Sequence, residues 1–541
     1  MTDILAALLD SCDRTPHAPA LTLGRMTLRF GELRDRVLGV ASSLTEHGLA
    51  PGDRVLFSVR PGIDGITLAL GIIAAGGTVV FADPGAGEQL FRARSALAAP
   101  RWVAAESVLY AASSGPLRGL ARRRGIELPD YGSVVPDARH LYTGPWLPGV
   151  PRGATPLRRL LRGAARPRQS TSRAAHSRRS SSGAARSRWS SSGAARSRWS
   201  SSGAAAYRDL HPPHIPAATS DEALIIFTSG TTDKPKAVVH SRESLGTGLD
   251  DFATAVGFVA GERVLTDQLM VGIPALIAGA HWELPPPGLD PGASPERYLP
   301  LLPRADVVFA VPAALDALLR MLDAHPDRTP QLRALVIGGA PVLRPLLERV
   351  RSRFPHTSIR AVYGMTEILP VAIADGDEKL AYTGPGDLVG RVMPSIRARV
   401  EGGELVVAGP GLANYLDEEL HELHTGDLAR LDGDLLVLAG RSKDMFIRGT
   451  TNVYPGLYEP VIAGLPGVRA AALVGIPNEI GDDELVLALV LDGTTVEAVT
   501  AALPGLIDAA VLPDRVVEVD ELPTAGRSSK LDRAALVELL R

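Results

Sequence analysis

Along most of this chain two hydrophobic patterns alternate, and few architectures accommodate both. Short apolar runs rich in β-branched residues, typical of buried strands, are separated by longer segments with amphipathic helical spacing. The strand-like runs include RVLFSV (54–59), GTVVFADP (77–84), ALIIFTSG (223–230), DVVFAVP (306–312) and ALVIGGAP (334–341). GELRDRVLGVASSLTEHGL (31–49) and PVLRPLLERVRSRF (341–354) have the helical spacing. The alternation predicts an α/β fold with mainly parallel strands.

Length and a change of pattern divide this fold into two domains. The chain has 541 residues, well beyond the roughly 250–300 residues at which single hydrophobic cores stop growing. Approaching residue 440, GELVVAGPG (403–411) and LARLDGDLLVLAGR (428–441) predict short antiparallel strands, the second pair joined by an Asp-Gly hairpin turn. We therefore expect a large multilayer α/β domain over 1–440 and a small α+β domain over 441–541.

Composition excludes several classes of protein. The single cysteine, Cys12, cannot supply a disulfide framework or a cysteine-clustered metal site, and it suits a reducing compartment. The first residues, MTDILAALLDSCDR, lack the basic start of a signal peptide. The uncharged stretch 65–82 is divided by Gly76-Gly77, so we expect a helix, a tight turn and a buried strand rather than a membrane span. The expected location is cytoplasmic.

An arginine-rich insert over 152–208 interrupts the pattern. It contains 14 arginines and no Asp, Glu or Lys, although the whole chain has a formal net charge of −3, so the remainder is strongly acidic. The decapeptide SSSGAARSRW fills 180–189 and 190–199. Because Ser, Gly, Ala and Arg cannot supply a core, the insert is predicted to be disordered. It could tether nucleic acid or anionic lipid, with Trp189 and Trp199 stacking; without a folded nucleic-acid module, a surface loop is the favoured interpretation and no nucleic-acid partner is expected.

A loop of small hydroxylated residues follows the run ALIIF (223–227). Its sequence is TSGTTDKPK (228–236). Backbone N–H groups and hydroxyls of such a loop can converge on phosphate oxygens, and Lys236 adds a positive charge. The G-x-x-x-x-G-K-[ST] spacing of a P-loop is absent. Taken alone, the segment fits either a phosphate site or a plain turn.

Extended to TSGTTDKPKAVVHS (228–241), the segment resembles the phosphate loop of the adenylate-forming superfamily, which includes acyl-CoA synthetases, peptide-synthetase adenylation domains and luciferases. It departs from the family pattern at Asp233 and Ala237, where glycine is usual, and Asp233 adds a negative charge beside the expected triphosphate. Further segments resemble family elements in the same order between residues 28 and 533, outside the insert. They are LRFGEL (28–33), GGTVVFADPG (76–85), ALVIGGAP (334–341), VYGMTE (362–367), GELVVAGPGLANYL (403–416), HTGDLARLDGDLLVLAGRSKDMFIRGTTNVYP (424–455) and SSKLDR (528–533).

The resemblance implies an ATP site and assigns residues to each part of the nucleotide. The implied phosphate-binding residues are Thr228, Ser229, Gly230, Thr231, Thr232 and Lys236. Adenine would lie against the turn Gly338-Gly339-Ala340 and the ring of Tyr363, next to Gly364, and Asp427 and Arg441 would meet the ribose. Tyr363 could equally be a core aromatic residue, and the glycines and Asp427 could be ordinary turn formers.

The catalytic residues implied by the resemblance are Thr366, Glu367 and Lys530. Thr366 can bond a phosphate oxygen, and Glu367 is a hard oxygen ligand suited to the Mg²⁺ that accompanies ATP. Lys530 would offset the repulsion between the acid and the α-phosphate, delivered by a small domain that rotates about Lys443. Arg527 is a rival because it directly follows Gly526, but the text KLDR (530–533) favours Lys530.

The implied activity is ATP-dependent activation of a carboxylic acid to an acyl-adenylate, followed by transfer to a thiol, with coenzyme A expected as acceptor. The apolar segment 266–288 favours a fatty or other apolar acid, although it could also be a core strand–helix pair. Alternatives are a β-lactone synthetase acting on a β-hydroxy acid, a ligase loading an acyl carrier protein, and an inactive paralogue that only binds, which Asp233 would favour. His240, His281 and His424 lack metal-ligand spacing and are expected to be structural or at the surface.

Overall fold

The apolar β-branched runs form the strands of two large sheets. A computed structural model describes residues 3–82, 84, 88–123, 128–164, 221–228, 236–441, 446–448, 451–453, 455–477, 483–507, 511–525 and 530–541. Its α-helices are α1 Ile4–Arg14, α2 Phe30–Glu46, α3 Ile63–Ala74, α4 Glu88–Ala98, α5 Ser107–Ser113, α6 Arg118–Arg123, α7 Tyr131–Val134, α8 Leu157–Ala164, α9 Arg242–Val256, α10 Leu269–Ile277, α11 Pro295–Tyr298, α12 Pro312–Ala324, α13 Arg344–Arg353, α14 Gly376–Ala381, α15 Pro455–Ala463, α16 Val496–Ala502 and α17 Arg533–Leu540.

The strands follow the same chain order. They are β1 Pro19–Leu23, β2 Met26–Arg29, β3 Arg54–Ser58, β4 Thr78–Phe81, β5 Trp102–Glu106, β6 Arg139–Thr143, β7 Thr155–Pro156, β8 Glu222–Thr228, β9 Lys236–Ser241, β10 Arg263–Leu265, β11 His281–Leu284, β12 Val307–Ala310, β13 Ala334–Gly338, β14 Ser358–Met365, β15 Ile368–Asp375, β16 Asp387–Val392, β17 Arg397–Glu401, β18 Glu404–Ala408, β19 Asn414–Tyr415, β20 Leu423–Asp432, β21 Leu435–Arg441, β22 Phe446–Arg448, β23 Thr451–Val453, β24 Val468–Pro477, β25 Asp483–Leu491, β26 Arg515–Glu518, β27 Thr524–Ala525 and β28 Lys530–Leu531.

The two large sheets combine parallel and antiparallel strands. Within the described ranges, the first sheet has the order β17-β18-β20-β21-β16-β15-β14-β13-β12-β10-β11-β1-β2 and the second β19-β9-β8-β4-β3-β5-β6-β7. Strands β10 to β14 and β3 to β8 pair in parallel, as the alternation predicts. The expected hairpin joins β20 to β21, but its two turn residues are Gly433-Asp434 rather than Asp432-Gly433, because Asp432 still pairs with Leu435; Gly433 has φ +61°. The mixed α/β fold is therefore confirmed.

The uncharged stretch 65–82 has the expected helix–turn–strand form. Helix α3 ends at Ala74, Gly76 takes a φ of +82° in the turn, and β4 starts at Thr78 in the interior of the second sheet. Among the helices that the structure describes, none has both the length and the apolar character needed to cross a membrane.

The start of the arginine-rich insert is ordered, which corrects the expectation of disorder from residue 152. Strand β7 pairs with β6, and α8 buries Leu157 and Leu160 in the core that also contains Val37 and Val40 of α2. The leucines of α8 supply an apolar face that the rest of the insert lacks, which explains the difference. Residues 165–208, with both complete decapeptides, lie outside the described residues.

A separate three-stranded sheet, β24-β25-β26, forms towards the C-terminus. Alternate residues of β24 and β25 point to opposite faces. Leu473, Leu485 and Leu487 join a core with α15 and α16, whereas Val474 and Val486 join a core with α17. These two cores share no residue with those of the large sheets.

Candidate active site

The base of the predicted phosphate loop is an antiparallel strand pair. Thr228 at the end of β8 lies opposite Lys236 at the start of β9. Ser229, Gly230, Thr231, Thr232 and Asp233 are outside the described residues, so the structure reports the two anchors of the loop. Ala237, where the family has glycine, is buried, and its carbonyl accepts the N–H of Leu416 at 3.0 Å. A methyl group is therefore accommodated at this position.

The segment VYGMTE crosses the turn between β14 and β15. Thr366 and Glu367 form this turn, and both are partly buried. A Cβ added to Gly364 would lie 2.5 Å from Leu369 Cδ1 and 3.2 Å from the Ile368 carbonyl oxygen, so a larger residue here would displace the Leu369 side chain. The Glu367 carbonyl accepts the N–H of Ala413 at 2.8 Å, which fixes the turn against the segment that leads into β19.

Tyr363 and Asp427, predicted to hold adenine and ribose, are in direct contact. The Tyr363 hydroxyl donates to Asp427 Oδ2 at 2.6 Å, and Asp427 is only 3% exposed. Thr425 Oγ1 accepts the Asp427 N–H at 3.1 Å and donates to the Leu405 carbonyl at 2.8 Å, which holds the T-G-D turn. Arg441 lies opposite Asp427 in the pairing of β20 with β21. Tyr363 and Asp427 thus meet through their side chains, and the backbone of Arg441 pairs beside Asp427.

The Gly-rich turn after β13 lies beside Tyr363. Gly338 pairs with Val362, the residue before the tyrosine, and a Cβ on Gly338 would come within 3.2 Å of Val362 Cβ. Gly339 has φ +85°, a conformation that favours glycine, and Ala340 follows it partly buried. The turn can therefore present backbone atoms at close range to a flat base stacked on the neighbouring ring.

His240 connects the second sheet to the catalytic turn. Its Nε2 donates to the Thr366 carbonyl at 2.7 Å, and its Nδ1 accepts the Ser244 hydroxyl at 3.2 Å. Burial lowers the pKa of His240, opposed in part by the Thr366 carbonyl. A neutral imidazole with its proton on Nε2 satisfies both contacts. The prediction that His240 is structural fits this geometry, but sequence reasoning missed its position beneath Thr366.

Tyr415 is a second residue that sequence reasoning did not single out. Its hydroxyl donates to Glu367 Oε1 at 3.2 Å, and the Lys236 ammonium lies 4.5 Å from the centre of its ring. Both His240 and Tyr415 lie inside segments that resemble family elements, 228–241 and 403–416. Their position within these two segments is the sequence signal that could have identified them.

Lys530 is placed on the short C-terminal strand β28, where it pairs with Ala525 and is exposed. Lys443, the predicted hinge, and Arg527, the rival of Lys530, lie outside the described residues. The side chain of Arg441 is likewise not described.

Most of the segment 266–288 is packed into the core, whereas Asp267, Gln268 and residues 286–288 are exposed. Every residue of β11 is buried, and Trp282 donates its indole N–H to the Thr266 carbonyl at 2.8 Å. A Cβ on Gly272 of α10 would lie 2.0 Å from Trp282 Cε2, so the indole covers this glycine directly. The segment is thus the core strand–helix pair that the sequence left open, and here the protein's own tryptophan occupies the space.

Three comparisons place this geometry among known proteins. The family model described as AMP-binding enzyme matches residues 8–415. A feruloyl-CoA synthase from Amycolatopsis sp is 31% identical over 358 residues, 59% of this chain and 70% of the relative. A medium/long-chain-fatty-acid–CoA ligase, FadD8 of Mycobacterium tuberculosis, is 31% identical over 343 residues, 56% of this chain and 58% of the relative. The solved amide bond synthetase McbA from Marinactinospora thermotolerans covers 99% of both chains with a TM-score of 0.74 and 21% identity, a likeness of fold.

Proposed function

The chain belongs to the AMP-binding enzyme family, and from that premise we propose that it activates an apolar carboxylic acid with ATP and passes the acyl group to coenzyme A. The observation that carries the proposal is the contact between Tyr363 and Asp427 beside the Gly338-Gly339 turn. Tyr363 offers a ring on which a base can stack, and the glycine turn offers backbone that a base can approach closely. Asp427 offers a buried carboxylate that can accept the ribose hydroxyls. The described anchors of the phosphate loop, Thr228 and Lys236, supply the triphosphate end.

The first step joins the acid to the nucleotide. A carboxylate oxygen attacks the α-phosphorus of ATP, and the bond from this phosphorus to the α,β-bridging oxygen breaks. Pyrophosphate departs, and the product is an acyl-adenylate. Both reactants are anionic, so a cation between them lowers the barrier, and we assign that role to Lys530. Thr366 is proposed to bond a phosphate oxygen during this step.

A magnesium ion fits the residues at the catalytic turn. Mg²⁺ is usually bound by one or two carboxylates together with phosphate oxygens and water. Glu367 offers one carboxylate, and Tyr415 engages only its Oε1. We propose that Glu367 holds this ion, which would neutralise part of the phosphate charge when bound.

The second step transfers the acyl group. A thiol sulfur attacks the acyl carbon, AMP leaves, and a thioester forms. We propose that residues 441–541 act as a mobile small domain that turns at Lys443, removing Lys530 and admitting the thiol. Because ATP and coenzyme A are both cytoplasmic metabolites, we propose the same location for this protein.

The apolar acid is supported by the named relatives. Feruloyl-CoA synthase and the medium/long-chain fatty acid ligase are named for acids that carry a large apolar part. A panel of fatty and aromatic acids therefore covers the proposed range.

ATP–pyrophosphate exchange with this panel tests the proposal. We expect exchange with at least one acid, followed by acid-dependent consumption of coenzyme A, with the thioester identified by mass spectrometry. If a lactone forms, or if a carrier protein is loaded instead of coenzyme A, the proposed acceptor of the second step is wrong. ATP binding without exchange for any acid would contradict the enzymatic proposal and indicate a binding protein.

Lys530→Ala tests the assignment of the catalytic cation. We expect exchange to fall by about 10²–10³-fold while ATP affinity stays near normal, because the lysine acts on charge that develops in the transition state. Arg527→Ala is the matched variant and should retain most exchange. The opposite pattern would assign the role to Arg527.

A further inference from the structure

Tyr415 lies between two residues to which the proposed function gives opposite charges. Its ring faces the Lys236 ammonium at 4.5 Å, and its hydroxyl donates to Glu367 Oε1 at 3.2 Å. Lys236 belongs to the sheet that carries the phosphate loop, and Glu367 to the turn of the other large sheet. The tyrosine is therefore a contact between the two halves of the candidate ATP site.

The backbone fixes the tyrosine with respect to both partners. Asn414 and Tyr415 pair with Val239 and Val238 of β9, which lie three and two residues beyond Lys236. One residue before β19, the Ala413 N–H donates to the Glu367 carbonyl at 2.8 Å. The position of the phenol is thus set by main-chain hydrogen bonds on each side rather than by its own rotamer alone.

The chemistry of the phenol suits this position. The ordinary pKa of a tyrosine is about 10, so the Tyr415 hydroxyl is protonated and can donate at physiological pH. A donor on Oε1 orients the carboxylate and leaves its second oxygen for another ligand. The ring face attracts the ammonium without cancelling its charge.

The cation and the carboxylate contact different parts of the tyrosine. Lys236 and Glu367 are both described residues, and no ion pair within 4.0 Å joins them. If they met directly, each would neutralise the other, and neither would attract phosphate or metal. With the ammonium over the ring face and the carboxylate on the hydroxyl, each charge remains available to a ligand.

We propose that Tyr415 is a positioning residue of the ATP site, whose ring holds Lys236 for the triphosphate and whose hydroxyl holds Glu367 for the metal ion. This inference rests on the proposed function, because it assigns those two residues to Mg·ATP. It adds that one side chain sets the positions of both charged groups.

Two variants separate the two contacts. Tyr415→Phe removes the hydroxyl and keeps the ring, so only the Glu367 contact is lost. Tyr415→Leu removes both. Tyr382→Phe is the matched control, because Tyr382 also has a cation over its ring, Arg430 at 5.9 Å, and donates its hydroxyl to the Pro385 carbonyl at 2.8 Å.

Binding is measured with the full chain in two titrations, each accompanied by a thermal melt. Mn²⁺ in the presence of ATP is followed by electron paramagnetic resonance, and ATP in the presence of EDTA by calorimetry. We expect Tyr415→Phe to weaken Mn²⁺ binding by about tenfold and leave metal-free ATP binding unchanged. Tyr415→Leu should weaken both, and Tyr382→Phe neither.

The outcomes distinguish this inference from the proposed function. If the unmodified protein binds neither ATP nor Mn²⁺ with ATP, the proposed ATP site is wrong and the role of Tyr415 falls with it. If it binds both and Tyr415→Phe leaves Mn²⁺ affinity unchanged, only the positioning role is refuted. Equal losses of both affinities in Tyr415→Phe, with a lowered melting temperature, would show a general structural role and also refute it.

Discussion

Asp427 and Tyr363 hold each other in place before a nucleotide binds. The carboxylate of Asp427 is almost fully buried and accepts the phenol at 2.6 Å, while its own N–H is held by Thr425. A charged acceptor makes this a strong hydrogen bond. The ring that we assign to adenine is therefore oriented by the carboxylate that we assign to ribose.

Asp427→Asn should weaken ATP binding by about tenfold, because the amide keeps the shape but loses the charge that strengthens its hydrogen bonds. Calorimetric titration with ATP measures the change. Asp434→Asn is the matched control: Asp434 lies in the turn of the same hairpin, where it pairs with the exposed Arg391. Equal ATP affinity in the two variants would contradict the assignment of Asp427 to the nucleotide.

Strand β9 contacts the turn between β14 and β15. It begins at Lys236 and carries His240 four residues later, and the histidine contacts the Thr366 carbonyl of the other large sheet. Through this contact, one strand connects Lys236 with the turn that contains Thr366.

His240→Ala should lower the free energy of unfolding by about 1–3 kcal/mol, because it leaves the Thr366 carbonyl without its donor. We also expect slower ATP–pyrophosphate exchange. His281→Ala is the control, since His281 is equally buried but bonds Thr22, far along the first sheet from Thr366. Both variants should be less stable in urea; if exchange is slowed equally in both, the link from β9 to the turn is wrong.

Helix α10 packs on β11 through the pair Gly272 and Trp282. The indole leaves no room for a Cβ on this glycine. Gly272→Ala should therefore cost about 1–3 kcal/mol of unfolding free energy, measured by urea denaturation. Gly119 in α6 has open space around its Cβ position, so Gly119→Ala should be neutral or slightly stabilising. A neutral Gly272→Ala would show that α10 can move away from the sheet.

At the scale of the whole molecule, the candidate site lies where the two large sheets meet. One sheet contains strands β9 and β19, which carry Lys236, His240 and Tyr415. The other sheet contains β14, β15 and β20, which carry Asp427 and the turn with Thr366 and Glu367. Main-chain and side-chain hydrogen bonds cross between them. Loss of packing between the sheets would therefore remove the site before either sheet unfolds.

Acid should destabilise the fold through three histidines. Burial lowers the pKa of His140, His240 and His281 below the ordinary value of 6.5. Below about pH 6.5 the unfolded chain binds protons that the folded chain does not, so the free energy of unfolding falls with decreasing pH until the folded pKa values are passed. Urea denaturation at pH 7.5 and pH 5.5 should give the lower stability at pH 5.5. A stability that rises on acidification would contradict the role of these buried imidazoles.

The sequence by itself determined the secondary-structure elements and the kinds of side chain at the candidate site. β-Branched runs give strands and amphipathic spacing gives helices because both patterns are local and record which face is buried. Tyr363, Glu367 and Asp427 could be named for the same reason, since each lies in a short segment that resembles a family element. The sequence predicted disorder across α8 because arginines dominate the composition of this region. The leucines of α8 are buried only because they pack in the same core as α2.

Only the tertiary structure decided which residues meet. Tyr415 lies 48 residues from Glu367, and His240 lies 126 residues from Thr366. These contacts follow from the pairing of β19 with β9 and from the approach of one sheet to the other, neither of which a local pattern encodes. Distant contacts depend on the path of the whole chain, because strands that neighbour each other in a sheet need not be consecutive in sequence.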